Sequence, residues 1–408
     1  MIYFDNAATT LMKPPSVPQA VAQAITSFGG VGRGAHQASI AAGTTVYRAR
    51  DAIASLFGCT DPRRVAFSVN ATASLNAAIR GMLHSGDHAI TTAASHNSVL
   101  RPLYYQVDHQ GAELSVLPVA RDASIDYDAY VRLFQPNTRL VVLTHASNVT
   151  GDVYDVARMA RVAHEHGACV VLDCAQTAGS ISVDMNKLGV DVAVFTGHKG
   201  LFGPQGTGGM CVSEHTTIPP FIVGGSGIRS YDRAHPPVMP EALEAGTLNA
   251  HGIAGLLAGV EYLQQTGIET LHERTLALTQ RLEVGAASIN GIKLYGGHAG
   301  HDRCGIVALN VGDCDSARVS DMLSNDYDIA TRAGAHCAPL MHQALGTEHQ
   351  GLVRMSLSSF NTEQEVDVAL NALEDIAHIV FPPSANQCAV PTKAADNQSA
   401  PFAEAANN

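Results

Sequence analysis

The sequence predicts an α/β protein in which a large, mostly parallel sheet forms one domain and a smaller α+β domain follows it. Short apolar runs, such as residues 140–143 and 192–195, alternate with helix-length segments between residue 16 and about residue 258. This alternation is the pattern of a sheet with helical cover. Because the carboxyl ends of parallel strands meet at one edge of a sheet, we expect a functional crevice at that edge.

The first elements are set by prolines and by apolar runs. An amino-terminal arm, residues 1–15, is separated from a helix predicted over residues 16–28 by three prolines, which are Pro14, Pro15 and Pro18. Further along, residues 140–143, 169–172 and 192–195 are continuous apolar runs. Such runs predict strands that are buried on both faces.

The chain then divides into domains. We predict that residues 16–258 form the large domain, which binds the cofactor, and that helices over residues 253–264 and 271–289 lead into a small domain, residues 259–381. The tail, residues 382–408, is rich in Ala, Asn, Gln and Pro and lacks apolar periodicity. We expect it to be disordered.

Composition excludes several classes of protein. Of 408 residues, 46% are apolar and 15% charged, which is typical of globular chains. A net charge of −12 argues against nonspecific binding to nucleic acid or anionic membranes. No run approaches the roughly 20 apolar residues of a membrane span, and no secretory signal opens the chain, so we expect a cytoplasmic protein. The eight cysteines lack metal-site spacing and are expected to be reduced, and we predict no metal.

A lysine follows one of the predicted strands. Lys199 comes after residues 192–195 and before the glycine-rich residues 203–206. A strand end beside glycine-rich turns is partly desolvated, and this lowers the pKa of a lysine from about 10.4 and makes the amine a nucleophile. Pyridoxal phosphate binds to such a lysine. The alternative is a solvated strand end.

An acid closes the preceding strand. Asp173 follows residues 169–172, and 26 residues (199 − 173) separate it from Lys199, which is enough for a turn, a connection and the next strand. A carboxylate paired with the ring nitrogen of pyridoxal phosphate keeps that nitrogen protonated. Asp173 suits this role, with Gln176 near the ring hydroxyl. The alternative, a carboxylate that caps the following turn, stays open.

A phosphate cradle is predicted where a strand gives way to a helix near residue 70. Ala71, Thr72 and Ala73 would lie at the helix amino end, where free amides and the helix dipole favour an anion. Asn70 or Thr72 could instead cap the helix. His96 follows another short segment and could stack on the pyridine ring.

Together these motifs resemble the class V aminotransferase superfamily, and more narrowly its SUF-type cysteine desulfurase or selenocysteine-lyase-like branch. The resemblance extends over roughly residues 2–375. It is carried by Tyr3–Thr10, Gly32–His36, Ala71-Thr72, His96, Ser147–Val149, Asp173 with Gln176, His198-Lys199 and Glu244–Thr247, in family order.

The resemblance implies a type I pyridoxal-phosphate-dependent transferase fold and a homodimer with shared active sites. It further implies that Asn148 contacts cofactor or substrate and that Thr196 and His198 help to bind the phosphate. Thr247 is expected to reach the phosphate in the neighbouring subunit.

One loop separates the candidate activities. Residues 331–340 resemble the loop that carries the persulfide-forming cysteine of desulfurases, here Cys337. A thiolate could attack the sulfur of the substrate, and positive charge from Arg332 or from a helix amino end would lower the pKa of the thiol from about 8.5. The alternative is an inert buried thiol, which fits the other seven cysteines better.

An arginine interrupts a later apolar run. Arg354 is costly to bury without an anion, and a bidentate clamp on the α-carboxylate of the substrate would satisfy it. A salt bridge to an acidic neighbour is the structural alternative. With the resemblance, Arg354 becomes the carboxylate-binding residue, and we place Ala8, Arg332 and Asn148 beside it in the substrate site.

Three departures from the family pattern stand out. Ser95 replaces an acid before the stacking histidine, and Cys174 replaces a Gly or Ala. Pro339 follows Ala338 directly, which shortens the cysteine loop by one residue. The shortened loop affects the interface with a sulfur-acceptor protein more than the chemistry.

We therefore predict a pyridoxal 5'-phosphate-dependent cysteine desulfurase that converts L-cysteine to L-alanine and forms a persulfide on Cys337. A selenocysteine lyase acting on L-selenocysteine is the first alternative, and an aminotransferase or epimerase of the same superfamily is the second. A silent scaffold is disfavoured because every cofactor-contacting position is filled.

Overall fold

The computed structural model describes residues 1–32, 34–296 and 303–381. The predicted disordered tail, Cys388 and Arg33 lie outside the described residues. The amino-terminal part of the chain contains β1 (Ile2–Tyr3), α1 (Ser16–Ser27), α2 (Gln37–Phe57), β2 (Val65–Ser68), α3 (Ala71–Met82), β3 (His88–Thr92), α4 (Asn97–Gln110), β4 (Glu113–Leu117), α5 (Tyr127–Val131), β5 (Thr138–Thr144), α6 (Val156–Glu165), β6 (Cys169–Asp173), α7 (Met185–Leu188), β7 (Val192–Thr196) and β8 (Gly208–Val212).

Two long helices connect this region to a second group of strands. Short 3₁₀ turns lie at Pro62–Arg64 and Glu241–Leu243. The remaining elements are α8 (Ala250–Thr266), α9 (Ile268–Ser288), β9 (Ile292–Tyr295), β10 (Ile306–Val311), α10 (Ser316–Tyr327), β11 (Ile329–Ala330), β12 (Arg332–Gly334), α11 (Pro339–Leu345), β13 (Leu352–Ser356) and α12 (Glu363–Val380).

The large sheet has seven strands in the order β2-β8-β7-β6-β5-β3-β4. Strands β4, β3, β5, β6 and β7 pair in parallel, and β8 is antiparallel to both of its neighbours. The uniformly apolar strands predicted near residues 140, 169 and 192 are confirmed as β5, β6 and β7. Their carboxyl ends lie side by side because the strands are adjacent and parallel.

Both faces of this sheet are covered by helices. Side chains alternate between the faces, so that Val142 and Val194 pack with α3 and α4, whereas Leu143 and Phe195 pack with α2, α6 and α8. This explains why the strand sequences are apolar throughout rather than alternating.

The second sheet is antiparallel, in the order β12-β13-β10-β9. Helices α9, α10 and α12 pack against it around a separate hydrophobic core. Thr362 begins α12 with a capping box, in which its hydroxyl accepts from the amide of Glu365 and the Glu365 carboxylate accepts from the amide of Thr362. The predicted helices near residues 16, 253 and 271 are confirmed as α1, α8 and α9.

The amino-terminal arm packs on the second sheet region. Strand β1 pairs in parallel with β11, and Phe4 lies fully buried in the second core. Ser356, at the end of β13, donates its amide to the carbonyl oxygen of Phe4. The arm is therefore held by the carboxyl-terminal part of the chain, which places Asp5, Ala7 and Ala8 beside the end of the large sheet. The predicted domain boundaries stay a prediction.

Within the described residues, no helix is both long enough and apolar enough to cross a membrane.

Candidate active site

A crevice opens at the carboxyl edge of the large sheet, between that edge, the amino-terminal arm and strands β12 and β13. Most of the predicted site residues line this crevice. Its walls are formed by Ala7, Ala8, Asn70, Ala71, Thr72, His96, Ser98, Thr144, Ala146, Asn148, Asp173, Ala175, Gln176, Thr196, His198, Lys199, Arg332, His336, Cys337 and Arg354.

Lys199 lies three residues beyond the end of β7, as the sequence predicts. Its backbone is fixed because its carbonyl oxygen accepts from the Thr10 hydroxyl at 3.3 Å and from the amide of Phe202. The pKa of Lys199 is lowered to about 8, mainly by desolvation in the crevice, with Asp173 opposing the shift and Arg354 and Arg332 contributing to it. A tenth of the amine is then unprotonated near pH 7, as an order of magnitude.

Asp173 ends β6, next to β7. Its Oδ1 accepts from the amide of Ala175 at 2.9 Å, so the turn-capping alternative is also realised. Burial raises the pKa of Asp173, which Lys199 partly opposes. A buried carboxylate favours a cationic partner. Gln176 also lines the crevice, and its Nε2 donates to the carbonyl oxygen of Ala7 at 3.2 Å.

The predicted cradle lies at the amino end of α3. Asn70 caps the helix, and its Oδ1 accepts from the amide of Ala73 at 3.0 Å. Ala73 is therefore used by the cap and does not line the crevice, whereas Ala71 and Thr72 do. The predicted phosphate-binding roles of Ala71, Thr72 and Ala73 stay predictions.

The amino ends of α3 and α4 are joined by Ser98. Its hydroxyl lies 2.7 Å from Oγ1 of Thr72 and 2.9 Å from Nδ1 of His96. Because Nδ1 of His96 also accepts from the amide of Ser98, this nitrogen is unprotonated and the Ser98 hydroxyl is the donor to it. Two helix amino ends thus face one crevice, which favours an anion.

Two crevice histidines beside the large sheet, His96 and His198, are neutral at pH 7. Burial, together with Lys199 and nearby arginines, lowers the pKa of His96 to about 4. Burial and the neighbouring lysines likewise lower the pKa of His198 to about 4. A neutral His96 ring suits stacking on an aromatic ring and adds no positive charge beside a cationic one.

Several buried polar atoms in the crevice have no hydrogen-bond partner in the described residues. They include Oγ1 of Thr196, Nδ1 of His198, Oδ1 of Asn148 and Nε of Arg354. Buried polar groups in proteins are nearly always satisfied, so unpaired atoms on several residues that line one crevice are consistent with a ligand that binds there.

Arg354 lies on β13 and is almost fully buried. Its Nη1 donates to the carbonyl oxygen of Asn148 at 2.9 Å and its Nη2 to Oδ1 of Asp5 at 3.0 Å. The salt bridge named as the structural alternative is therefore present. Nε remains unpaired, so the guanidinium keeps donor capacity for a substrate carboxylate.

Cys337 is exposed and lines the mouth of the crevice, in the loop between β12 and α11. The loop has an unusual backbone, because His336 and Cys337 both have left-handed φ, +50° and +56°. Pro339 is the first residue of α11, which explains how the helix begins directly after the shortened loop. Arg332, on β12, is paired in register with Arg354.

Besides Ala73, one predicted site residue does not line the crevice. Thr247 lines a different cleft, beside Arg50 and Glu244, which form a buried ion pair at 2.5 Å. Its expected role involves a second subunit and stays a prediction.

Sequence reasoning did not select Ser98, His336 or Asp5 as site residues. Ser98 follows His96 by two residues at a predicted helix start, and that position was a usable signal. His336 directly precedes Cys337, and that adjacency was a usable signal as well. Asp5 reaches the site through Arg354, which is distant in sequence and which no local pattern indicates.

The donors and charges of the crevice fit pyridoxal phosphate. The buried carboxylate of Asp173 matches the ring nitrogen, and the Lys199 amine of lowered pKa matches the aldehyde. The two helix amino ends, with the unpaired atoms of Thr196 and His198, match the phosphate in chemical type. Within the described parts of the chain, no group of three His, Cys, Asp or Glu side chains could hold a metal ion.

Comparison with known proteins agrees with this geometry. A probable cysteine desulfurase from Halobacterium salinarum is 34% identical, covering 94% of this chain and 93% of the relative. Another from Methanothermobacter thermautotrophicus is 31% identical, covering 92% and 94%. The solved apo structure of a cysteine desulfurase from Thermococcus onnurineus NA1 has a TM-score of 0.87 at 30% identity, covering 92% of this chain and 94% of that one.

The structural likeness confirms the predicted fold class, a type I pyridoxal-phosphate-dependent fold with a large, mostly parallel sheet. A family model described as aminotransferase class-V matches residues 2–369. The chain belongs to the class V aminotransferase family.

Proposed function

We propose that this protein is a cysteine desulfurase, which converts L-cysteine to L-alanine and takes the sulfur on Cys337 as a persulfide. The observation that carries the proposal is the exposed thiol of Cys337 at the mouth of a crevice that also holds Lys199 and Arg354. An aminotransferase needs the lysine and the arginine but not the thiol. The names of the aligned relatives support the same activity.

Pyridoxal 5'-phosphate is the proposed cofactor, held by Asp173 at its ring nitrogen and by Thr72, Thr196 and His198 at its phosphate. When bound, it supplies the electron sink for a carbanion at the substrate Cα. His96 would cover the ring as a neutral stacking partner.

The side chains of the crevice orient the amino acid. Arg354 donates to the substrate α-carboxylate through guanidinium N–H groups that its protein partners leave free, while Asp5 and the Asn148 carbonyl fix the plane of the guanidinium. Lys199 removes the proton from Cα, and its lowered pKa makes this possible near neutral pH. The same amine returns a proton later.

The sulfur-transfer step belongs to Cys337. Its thiolate attacks the substrate Sγ, an S–S bond forms and the Cβ–S bond breaks, and the electron pair of the broken bond stays with the carbon fragment. That fragment takes up protons and leaves as alanine, so that one cysteine and one enzyme thiol give one alanine and one persulfide.

Selenocysteine lyase activity is the second candidate. The same crevice accepts L-selenocysteine, and a selenolate leaves more readily than a thiolate, so it can be expelled without attack by Cys337. We further propose a homodimer, in which Thr247 reaches the phosphate of the neighbouring subunit, and a protein that accepts sulfur from Cys337.

Product analysis tests this proposal. Purified protein loaded with cofactor is incubated with L-cysteine or L-selenocysteine, and alanine, sulfide and selenide are measured. We expect alanine from cysteine in wild type and little from Cys337→Ala, with selenocysteine activity retained in that variant. Unchanged cysteine turnover in Cys337→Ala would refute the role of the thiol and favour an aminotransferase or epimerase.

A further inference from the structure

The backbone of the Cys337 loop is strained. His336 and Cys337 are consecutive, non-glycine residues in the left-handed region, a conformation that L-residues disfavour. Such backbone persists only where surrounding contacts hold it, and it concentrates at functional sites. The contacts that hold this loop therefore decide where the Cys337 thiol points.

Hydrogen bonds to two backbone carbonyl groups hold the loop in place. The Asn148 side-chain Nδ2 donates to the carbonyl oxygen of His336 at 2.7 Å. The amide of Asn97, the first residue of α4, donates to the carbonyl oxygen of Cys337 at 2.7 Å. Asn148 follows β5 and lines the crevice, and Asn97 begins α4, so these bonds attach the loop to the large sheet and its helical cover.

The ring of His336 forms the third attachment. Its Nε2 lies 3.1 Å from the carbonyl oxygen of Arg332, within the strand that pairs with Arg354. The ring also stacks on His342 of α11, with centroids 5.7 Å apart and planes inclined by 13°. The side chain therefore bridges the strand before the loop and the helix after it.

The ring is neutral, which limits what it can do. Burial lowers the pKa of His336 to about 3, and Arg354 and Arg332 add to the effect while the bond to the Arg332 carbonyl opposes it. Because a carbonyl can only accept, Nε2 carries the hydrogen and Nδ1 does not. A base this weak cannot take the proton from the Cys337 thiol.

We propose that His336 is a positioning residue for the Cys337 nucleophile. Its Nε2–H bond to Arg332 and its packing on His342 hold the left-handed turn that presents the thiol to the substrate sulfur. The inference rests on the proposed function. It deepens that function by adding a residue whose effect is confined to the step that needs a thiol.

The proposal predicts a difference between substrates. Loss of the His336 ring should slow persulfide formation from L-cysteine, because the thiolate must meet the substrate Sγ in line. It should spare L-selenocysteine, because the selenolate is expelled without attack by Cys337. His336→Gln should rescue much of the loss, since the Gln Nε2–H can reach the Arg332 carbonyl.

Three variants of the cofactor-loaded, full-length protein test this. We expect His336→Ala to form the Cys337 persulfide at least tenfold more slowly in a single turnover, with selenocysteine turnover within twofold of wild type. His336→Gln should lie within threefold of wild type on cysteine. Gln343→Ala, an exposed change on α11, is the matched control and should match wild type on both substrates.

Hydrogen–deuterium exchange supplies a readout independent of turnover. Backbone amides of residues 334–340 should exchange faster in His336→Ala than in wild type or Gln343→Ala. Equal exchange in all variants, or an equal loss of cysteine and selenocysteine turnover in His336→Ala, contradicts the positioning role. If wild type itself makes no persulfide, the proposed function has failed instead, so the two failures are distinguishable.

Discussion

At the scale of single residues, the chemistry depends on side chains whose pKa values are shifted by burial in the crevice. The lowered pKa of Lys199 and the raised pKa of Asp173 have one common cause, which is loss of solvent. The two groups partly oppose each other's shift because each favours the charged form of the other. Perturbed groups collected in a crevice are typical of functional sites.

The first prediction concerns the reaction of Lys199 with pyridoxal phosphate. Only the unprotonated amine attacks the aldehyde, and a pKa lowered to about 8 means that the amine loses its proton near pH 8 rather than near pH 10.5. We expect the attachment rate in cofactor-free protein to rise up to about pH 8 and then level off. Borohydride reduction followed by peptide mapping at each pH measures it.

Lys13 is the matched control for this experiment. Burial lowers its pKa to about 8 as well, yet its Nζ is bonded to the Thr10 hydroxyl and it does not line the crevice. Lys13→Ala should keep the label and Lys199→Ala should lose it. A rate that still climbs above pH 10, or a label on another lysine, contradicts the assignment.

The second prediction concerns Asp173→Asn. The amide preserves the bond from the Ala175 amide but cannot hold a ring nitrogen protonated, so we expect a folded protein with kcat for cysteine lowered by about a hundredfold or more, the usual scale for loss of one electrostatic contact in a reaction site. Steady-state kinetics and thermal unfolding measure the two effects. A variant with kcat near wild type shows that the carboxylate only caps the turn.

At the scale of elements, the site depends on where strands and helices end. The sequence allowed Asp173 and Lys199 to be placed together because β6 and β7 are adjacent and parallel, and parallel strands end at one edge. The amino end of α3 was predictable for the same local reason, since Asn70 is a typical cap. An Asn cap accepts from the second or third amide of its helix, so the bond from the Ala73 amide to Asn70 follows from the same cap.

The third prediction concerns the link between α3 and α4. Ser98→Ala removes the hydroxyl that joins Thr72 to His96. Loss of such a bond is worth about 1 kcal/mol, or roughly a fivefold change in affinity. We expect weaker binding of pyridoxal phosphate by about that factor with kcat little changed at saturating cofactor. Fluorescence titration of cofactor-free protein measures it, and unchanged affinity means that the hydroxyl does not order the cradle.

At the scale of the whole molecule, the site is assembled from segments far apart in the chain. Asp5 meets Arg354, Asn97 meets Cys337 and Asn148 meets His336. Periodicity and turn signals describe only neighbours in sequence, so these contacts could not be derived from the residues, and the resemblance indicated the roles but not the bonds. The role expected of Thr247 likewise needs a second subunit.

The fourth prediction tests how the arm supports the site. Phe4 belongs to the arm and is fully buried in the second core, and Phe4→Ala should lower the free energy of unfolding by about 3–5 kcal/mol. Because Asp5 is the next residue and contacts Arg354, KM for cysteine should also rise. Val368→Ala, exposed on α12, is the control and should change neither quantity. Denaturant unfolding measures the free energy, and steady-state kinetics measure KM. A Phe4→Ala variant with normal stability and normal KM would show that the arm is dispensable.

The central claim is that Cys337 receives the sulfur, and mass spectrometry after one turnover tests it most directly. Wild-type protein loaded with cofactor is mixed with one equivalent of L-cysteine, alkylated and digested. We predict one additional sulfur on the peptide that contains Cys337, in amounts equal to the alanine released. Alanine without that sulfur, or the sulfur on Cys174 or Cys388 instead, would contradict the account.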